Sequence, residues 1–274
     1  MAEILTVQNK KSFDLPGGVI EKYTFVLSDG EKIESVYRKS KEQAEVYLSS
    51  QVGCGVGCSF CACSEEWLIR DLTWKEIVGQ LETILAGKKY FQLSILFNGI
   101  GEPTDNEAAV SKAIKYFLKH YPGALIKVTT TGLREKTLRH WERWPISLQL
   151  SLHAPTAYLR EQIIQTLIDI KKVVKAARRW AKQRGEKVTV NYLLLKNFND
   201  SYKVIDQLLE LLDPRHFRIM FSHLNQVTGR DFPYRESDKF AILKEYVAEK
   251  GYEVTEFDDI GKDAGAGCGQ LTSS

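Results

Sequence analysis

The sequence predicts an α/β fold: a partial (β/α)6-type barrel with an N-terminal β-hairpin extension. Three observations predict it. Strand-like and helix-like segments alternate from residue 74 onward, which implies a parallel sheet. Ser28-Asp29-Gly30 separates two alternating segments near the N-terminus, a hairpin signal. Between the two regions, Cys54, Cys58, Cys61 and Cys63 crowd into ten residues.

Taken in order, residues 19–39 read as the two hairpin strands, and a third strand follows near 44–51. Thr73-Trp74-Lys75-Glu76 has the form of a capping box and opens a helix over 74–87. The alternation then runs strand 92–98, helix 106–120, strand 125–130, short helix 134–141 and strand 146–152. One or two helices over 158–184 follow. Strand 187–195, helix 201–212, strand 217–222, helix 236–250 and strand 253–257 close the pattern. In such barrels the loops after the strands carry function. The segment from Gly261 to Ser274 is glycine-rich and is expected to be mobile. The division expected is an extension over 1–48 and a core domain over 49–274.

The 274 residues suit one large domain or two small ones, and 43% apolar content suits a packed core. No run of about 18 apolar residues would span a membrane. The N-terminus has no basic patch followed by an apolar stretch, so no secretion signal is expected. The net charge of +3 leaves nucleic acid open as a partner without demanding it. The five cysteines are odd in number and tightly spaced, which argues against a disulfide framework and for metal or redox chemistry in the cytoplasm.

Cys54-Gly55-Val56-Gly57-Cys58-Ser59-Phe60-Cys61 gives the spacing C-x3-C-x2-C. Three thiolates can hold three irons of a [4Fe–4S] cube, leaving one iron open. An open iron can chelate the amino and carboxylate groups of S-adenosylmethionine (SAM), and an electron from the cluster then releases a 5′-deoxyadenosyl radical. The rival reading is a zinc site completed by Cys63 or Cys268, since zinc usually takes four ligands.

These motifs resemble the RlmN/Cfr group of radical SAM RNA methyltransferases. SSQVGCGVGCSFC (49–61), NGIGEPTDN (98–106), VTTTG (128–132), LSLHAPTAYLRE (150–161), LLLKNFND (193–200), HLNQ (223–226) and DAGAGCGQL (263–271) follow the family's order across nearly the whole chain. The resemblance implies a radical SAM barrel, a [4Fe–4S] cluster on Cys54, Cys58 and Cys61, and SAM as cofactor. It implies that Gly101 and Glu102 meet the SAM amino group and that Thr129 binds the ribose. Ser151, Leu152 and His153 would line the SAM pocket, and Asn225 would bind through its amide. Cys268 matches the family's methyl-carrying cysteine. There the thiolate takes a methyl group from one SAM, loses a hydrogen to the radical from a second, and adds through carbon to an sp² carbon of adenine. Glu34 matches a hairpin glutamate suggested to accept a proton or touch substrate; the bland alternative is a solvated carboxylate. The resemblance further implies an RNA substrate, a flavodoxin- or ferredoxin-type electron donor, no membrane, and a monomer in the cytoplasm.

Two features depart from the family. Its second cysteine, which pairs with the methyl carrier in a disulfide, is here Tyr47. Cys63 is the candidate substitute, the alternative being a buried apolar filler. The 53 residues before Cys54 leave little room for the family's N-terminal helical domain, so a smaller RNA or another substrate stays open. For an RNA surface, residues 171–184 form the densest basic run, and Lys112, Lys115 and Lys119 share one helix face. Tyr23, Tyr37 and Tyr47 are candidates for stacking on a base. The alternative functions are another radical SAM reaction, a non-RNA substrate, or a non-catalytic iron–sulfur interaction module.

Overall fold

The computed structural model describes residues 4–41, 43–64, 66–225, 227, 232–257, 261–267 and 269–273. In chain order the strands are β1 (Leu5–Leu15), β2 (Gly18–Leu27), β3 (Lys32–Lys39), β4 (Gln43–Tyr47), β5 (Gln51–Val52), β6 (Arg70–Asp71), β7 (Gln92–Phe97), β8 (Leu125–Thr130), β9 (Ser147–Ser151), β10 (Val188–Leu193), β11 (Phe217–Ser222) and β12 (Val254–Glu256). The helices are α1 (Trp74–Leu85), α2 (Glu107–His120), α3 (Glu135–Trp141), α4 (Ala157–Glu161), α5 (Ile170–Arg184), α6 (Tyr202–Leu211) and α7 (Phe240–Glu249).

Ten strands form one sheet in the order β1-β2-β3-β4-β7-β8-β9-β10-β11-β12. The pairs from β1 to β4 are antiparallel, and every pair from β4 to β12 is parallel. β4 is therefore both the last strand of the N-terminal meander and the first of the barrel set. The sheet is open among the described residues, with β1 and β12 at its edges. No helix of the described residues is long and apolar enough to cross a membrane.

The local causes match the sequence expectations closely. Thr73 and Glu76 close the capping box at α1: the Glu76 N–H donates to Thr73 Oγ1 (3.3 Å) and the Thr73 N–H donates to Glu76 Oε2 (2.7 Å). β2 buries alternate residues, the period of a half-covered strand. The central strands, such as Gln92–Phe97, carry apolar runs because helices and the sheet interior cover both faces. Trp141 and Trp180 are fully buried between α3 and α5.

Two strands were not foreseen: β1, and the two-residue β6 that pairs with β5. β1, LTVQNKKSFDL, exposes most of its residues and has no clean alternation. It exists because its backbone pairs with β2 across a turn at Pro16-Gly17, where Gly17 takes φ +82°. Edge strands with exposed lysines need no apolar face of their own.

Gln80 ties the hairpin to the barrel. It is fully buried on α1, accepts from Ser35 Oγ of β3 (2.7 Å) and from the Ser49 N–H (2.9 Å), and donates to the Ser49 carbonyl (3.1 Å). Ser49 in turn donates its hydroxyl to the Glu34 carbonyl (2.6 Å) and accepts the Ile100 N–H (2.9 Å). Gln80→Leu strands several of these buried groups, each worth roughly 1–3 kcal/mol. The expected loss is about 2–4 kcal/mol in urea unfolding; a loss below about 1 kcal/mol would mean that water or a shifted serine fills the gap.

Candidate functional site

The chain leaves β4, crosses Ser49 and Ser50, and enters β5 before turning into the cysteine loop. Gly53 at that turn has φ +71°, and a Cβ there would lie 2.3 Å from the Trp67 carbonyl oxygen, so only glycine fits. The loop is fastened on both sides. The Cys54 N–H donates to the Glu66 carbonyl (3.3 Å), and the Ser59 N–H donates to the Ile163 carbonyl (2.9 Å) beside a bridge between Cys58 and Ile164. The Cys61 N–H closes the turn on the Cys58 carbonyl (2.9 Å).

Cys54, Cys58 and Cys61 are all half-buried in this loop. Burial pushes the Cys54 thiol up to about 12, and burial also pushes Cys58 well up. Neighbouring thiolates add to the upward push on both. Three thiolates therefore fit here only with positive charge supplied among them, which the irons of a cluster provide. Among the described residues no three His, Cys, Asp or Glu side chains converge on one metal-ion position. A cube asks for less convergence, since each cysteine holds its own iron.

Opposite the loop, the ends of β7 and β8 form a rim organised by Glu102. Its carboxylate is 2% exposed. Oε1 accepts the Thr104 N–H (3.0 Å) and the hydroxyls of Thr104 (2.7 Å) and Thr130 (2.5 Å). Oε2 accepts the Thr131 N–H (2.8 Å) and hydroxyl (2.9 Å). The side chain expected to meet SAM is thus satisfied within the rim. Its neighbour Gly101 has φ +102°, and a Cβ there would lie 2.7 Å from both Ser50 Oγ and Gln51 Cβ. Only glycine therefore lets the rim pack this closely on Ser50 and Gln51.

Thr129, at the end of β8, is buried and its hydroxyl has no partner. Ser151 ends β9, and the adjacent Leu152 N–H donates to the Asn191 carbonyl (3.1 Å). His153 takes a positive φ of 59°, a left-handed conformation forced by the strand exit. Its ring accepts the Leu193 N–H at Nδ1 (3.0 Å) and meets Phe60 edge-on at 5.2 Å. Burial pushes its pKa down to about 3, with the Arg160 charge adding to the shift, so the ring is neutral. His153 and Asn225 line a common cavity of about 250 Å³ with Phe60, Leu193 and Ser222. Of the residues expected around SAM, this cavity is lined by His153 and Asn225.

Arg160 is a functional candidate that sequence reading missed. It is 2% exposed. Its Nε donates to the Leu152 carbonyl (3.3 Å) and its NH2 nitrogen to the Thr131 carbonyl (2.7 Å), while NH1 has no partner. Its charge acts on both Cys58 and His153. A lone arginine in LSLHAPTAYLRE reads as solvated; only burial marks it. The orphaned Thr129 hydroxyl and the incomplete Arg160 guanidinium suit a ligand carrying a ribose and a carboxylate, and three cysteine thiols suit an iron–sulfur cluster.

The C-terminal segment is tied down at its described residues. Lys22 Nζ donates to the Gly265 carbonyl (2.9 Å), and the Ala62 N–H donates to the Gly269 carbonyl (2.7 Å). Cys63 Sγ donates to the Leu271 carbonyl (3.0 Å). The Thr272 N–H donates to Glu34 Oε2 (3.0 Å), the Thr272 hydroxyl donates to Glu66, and the Ser273 N–H donates to Glu66 Oε2 (2.6 Å). Cys268 lies outside the described residues. Glu34 is buried, ion-paired with Lys22 at 2.8 Å and bonded to the C-terminal segment, so it anchors that segment rather than lying solvated on the hairpin.

A second cavity, of about 650 Å³, lies between the hairpin, the cysteine loop and this segment. Arg38, Tyr47, Cys61, Cys63, Gly267 and Gly269 are among its lining residues. Tyr47 donates to Glu45 Oε2 (3.1 Å), and burial pushes its phenol far up, so it serves as a neutral donor rather than a base. Cys63 is 2% exposed and packs with Ile20, Val36, Ile100 and Leu271.

A profile of the radical SAM superfamily matches residues 48–209. The chain is 34% identical to the probable dual-specificity RNA methyltransferase RlmN of Dictyoglomus turgidum, covering 99% of this chain and 81% of that protein. It is 31% identical to the dual-specificity RNA methyltransferase RlmN of a Sulfurovum species, covering 91% of this chain and 76% of that one. The crystal structure of a radical SAM methyltransferase from Sphaerobacter thermophilus superposes with a TM-score of 0.89 at 29% identity, covering 99% of this chain and 82% of the other. Streptococcus suis SuiB bound to S-adenosylmethionine shares the fold at a TM-score of 0.62 and 17% identity, over 79% of this chain and 51% of that one.

A neutral buried His153 makes stability depend on pH in a defined direction. Its folded pKa is depressed, so the unfolded chain binds a proton that the folded chain refuses between about pH 6.5 and about 3. Stability is present above the unfolded pKa and falls as pH falls below it. The margin of the wild type over His153→Gln is expected to shrink by about 1.4 kcal/mol per pH unit between pH 6 and 4.5, measured by urea unfolding. A margin constant with pH would place the imidazole in contact with water.

Proposed function

The chain belongs to the radical SAM superfamily and, within it, to the RlmN family of RNA methyltransferases, and from that premise we propose that it methylates an sp² carbon of adenine in RNA through a methyl group carried on Cys268. The observation that carries the reading is the C-terminal segment, whose Gly267 and Gly269 line one cavity with Cys61 and Cys63.

The bound cluster and SAM would supply the methyl group and the hydrogen-abstracting radical. Cys54, Cys58 and Cys61 would hold the cluster. Gly101, Thr129, Ser151, Leu152, His153 and Asn225 would hold SAM. Glu102 would fix the rim from behind, and Arg160 would offer its spare N–H to a carboxylate. Neutral His153 accepts a backbone N–H and adds no charge beside Arg160. Glu34 and Glu66 would hold the Cys268 loop over the cavity through Thr272 and Ser273. Tyr47 and Arg38 would face the base. In this reading residues 1–48 extend the core domain 49–274.

The covalent route needs a second thiol, because an adenine joined to Cys268 through a methylene must be released. A thiolate attacking the Cys268 sulfur forms an S–S bond as the C–S bond breaks. The electron pair left on carbon takes up a proton and completes the methyl group. Cys63 is the only other cysteine outside the cluster ligands, and its position in the same cavity supports it for this step. Trp67 and Ile69 stand 82% and 56% exposed immediately after the cysteine loop. In this reading the exposed pair is where a flavodoxin- or ferredoxin-type donor would dock, and the protein acts as a monomer in the cytoplasm.

The deciding test is anaerobic mass spectrometry of the cluster-loaded protein with SAM and dithionite. 5′-Deoxyadenosine together with methyl mass on the peptide holding Cys268 is expected. Deoxyadenosine with unmodified Cys268 would refute the methyl-carrier role. With an adenine-containing RNA, Cys63→Ala is expected to accumulate a protein–RNA adduct and to lose turnover at least tenfold. Unchanged turnover would remove Cys63 from the release step.

A further inference from the structure

In the densest basic run of the sequence, residues 171–184 on α5, three of the seven cations have acidic partners within the fold. Arg179 pairs with Glu142 at 2.8 Å, Arg184 with Glu186 at 3.6 Å, and Lys172 with Asp169 at 3.9 Å. Arg178 donates to the Leu211 carbonyl (3.3 Å). Lys171, Lys175 and Lys182 on α5 are left to solvent, and so are the cations of the outer flank made by α1 and α2. Lys75, Lys112, Lys115 and Lys119 are exposed, and among the described residues none of them has an acidic ion-pair partner. Lys112, Lys115 and Lys119 follow i, i+3, i+7, a row of about 10 Å along the helix. Like charges at these spacings oppose helix stability, while Lys119 also lies in the last turn of α2, where a cation suits the helix end.

Aromatic rings lie among these cations. His120 stacks on Tyr116 with centroids 4.1 Å apart and planes 23° apart, and Tyr116 lies 6.1 Å from Trp74. Lys75 sits over the Trp74 ring at 6.0 Å, and Lys115 over Trp144 at 5.4 Å. The Tyr116 hydroxyl donates to Glu82 (2.6 Å), which orients the ring without neutralising a lysine. Trp74, Lys112, Lys115, Tyr116, Lys119 and His120 line one open groove of about 800 Å³.

We propose that this α1–α2 flank is a binding surface for single-stranded RNA, with the lysine row on successive phosphates and the Trp74–Tyr116–His120 ladder against base faces. A row of unneutralised cations beside stacked rings is the combination that recognises single strands: charge tracks the backbone and π-faces accept any base. The inference rests on the RNA reading above and moves the contact surface from α5, where the sequence is most basic, to α2, where unpaired cations lie beside aromatic rings. The flank binds RNA beyond the target nucleotide and takes no part in chemistry.

The test is fluorescence anisotropy of a labelled, adenine-rich, unstructured RNA of about 15 nucleotides with the cluster-loaded, full-length protein. Lys112→Gln/Lys115→Gln/Lys119→Gln is expected to weaken binding at least tenfold near 0.1 M salt. It should also flatten the slope of log affinity against log salt by about 2, as about three phosphate contacts require. His120→Ala is expected to weaken binding with the salt slope unchanged. Lys171→Gln/Lys175→Gln/Lys182→Gln on α5 is expected to bind as the wild type does. All three variants should form 5′-deoxyadenosine from SAM at the wild-type rate without RNA. If the α2 variant binds RNA like the wild type, the inference is overturned while the RNA reading stands. Loss of polyglutamate binding with RNA binding kept would assign the flank to an acidic protein and overturn it likewise. A wild type that binds no RNA would sink the RNA reading itself.

Discussion

The buried Glu102 carboxylate is the constraint on which the site depends. Five donors from Thr104, Thr130 and Thr131 satisfy it, and they join the exits of β7 and β8 into one rim. An unpaired carboxylate at that depth would cost several kcal/mol, so the threonines and the glutamate stand or fall together. Because the Glu102 backbone N–H donates to Gln51 Oε1 (2.8 Å) and Gln51 donates to Asp71 (2.8 Å), the backbone of the same residue also sets the rim against the strand that leads into the cysteine loop. The cofactor face is built from satisfied polar groups, which leaves a few unsatisfied ones, at Thr129 and Arg160, available to a ligand.

The second organising feature is the fastening of the C-terminal segment. Two carboxylates from distant parts of the chain, Glu34 on β3 and Glu66 after the cysteine loop, receive donors from Thr272 and Ser273. A segment that sequence composition marks as loose is held at its described residues over the cavity beside the cluster ligands. This arrangement suits chemistry in which a side chain must be presented to a reactive centre in a protected volume. It also gives the N-terminal meander a task beyond extending the sheet, since Lys22 and Glu34 are where it grips the far end of the chain.

Charge is distributed on the same principle. Three cations of α5 are matched by acidic neighbours within the fold, whereas those of α2 are left to solvent beside aromatic rings. Arg160 has a charge too deeply buried for solvent to screen, and it acts on the Cys58 thiol, whose ionisation needs positive charge. Counting lysines and arginines along the chain ranks these features in the wrong order. Neutralisation and burial are properties of the assembled molecule.

The sequence by itself determined the alternation of strands and helices, the capping box at Thr73, the hairpin at Asp29-Gly30 and the cysteine spacing. Each is a local signal, set by backbone preferences or by ligand geometry within a few residues. Seven ordered motifs also made the family legible. β1 was not legible, because an exposed edge strand is created by its partner's backbone and not by its own side chains. The buried role of Arg160, the anchoring role of Glu34 and the satisfied state of Glu102 were not legible either. Each depends on donors and carbonyls brought from residues dozens to hundreds of positions away. Only the tertiary structure decided these, because burial and hydrogen-bond satisfaction belong to contacts between distant segments, and no window of sequence contains both partners.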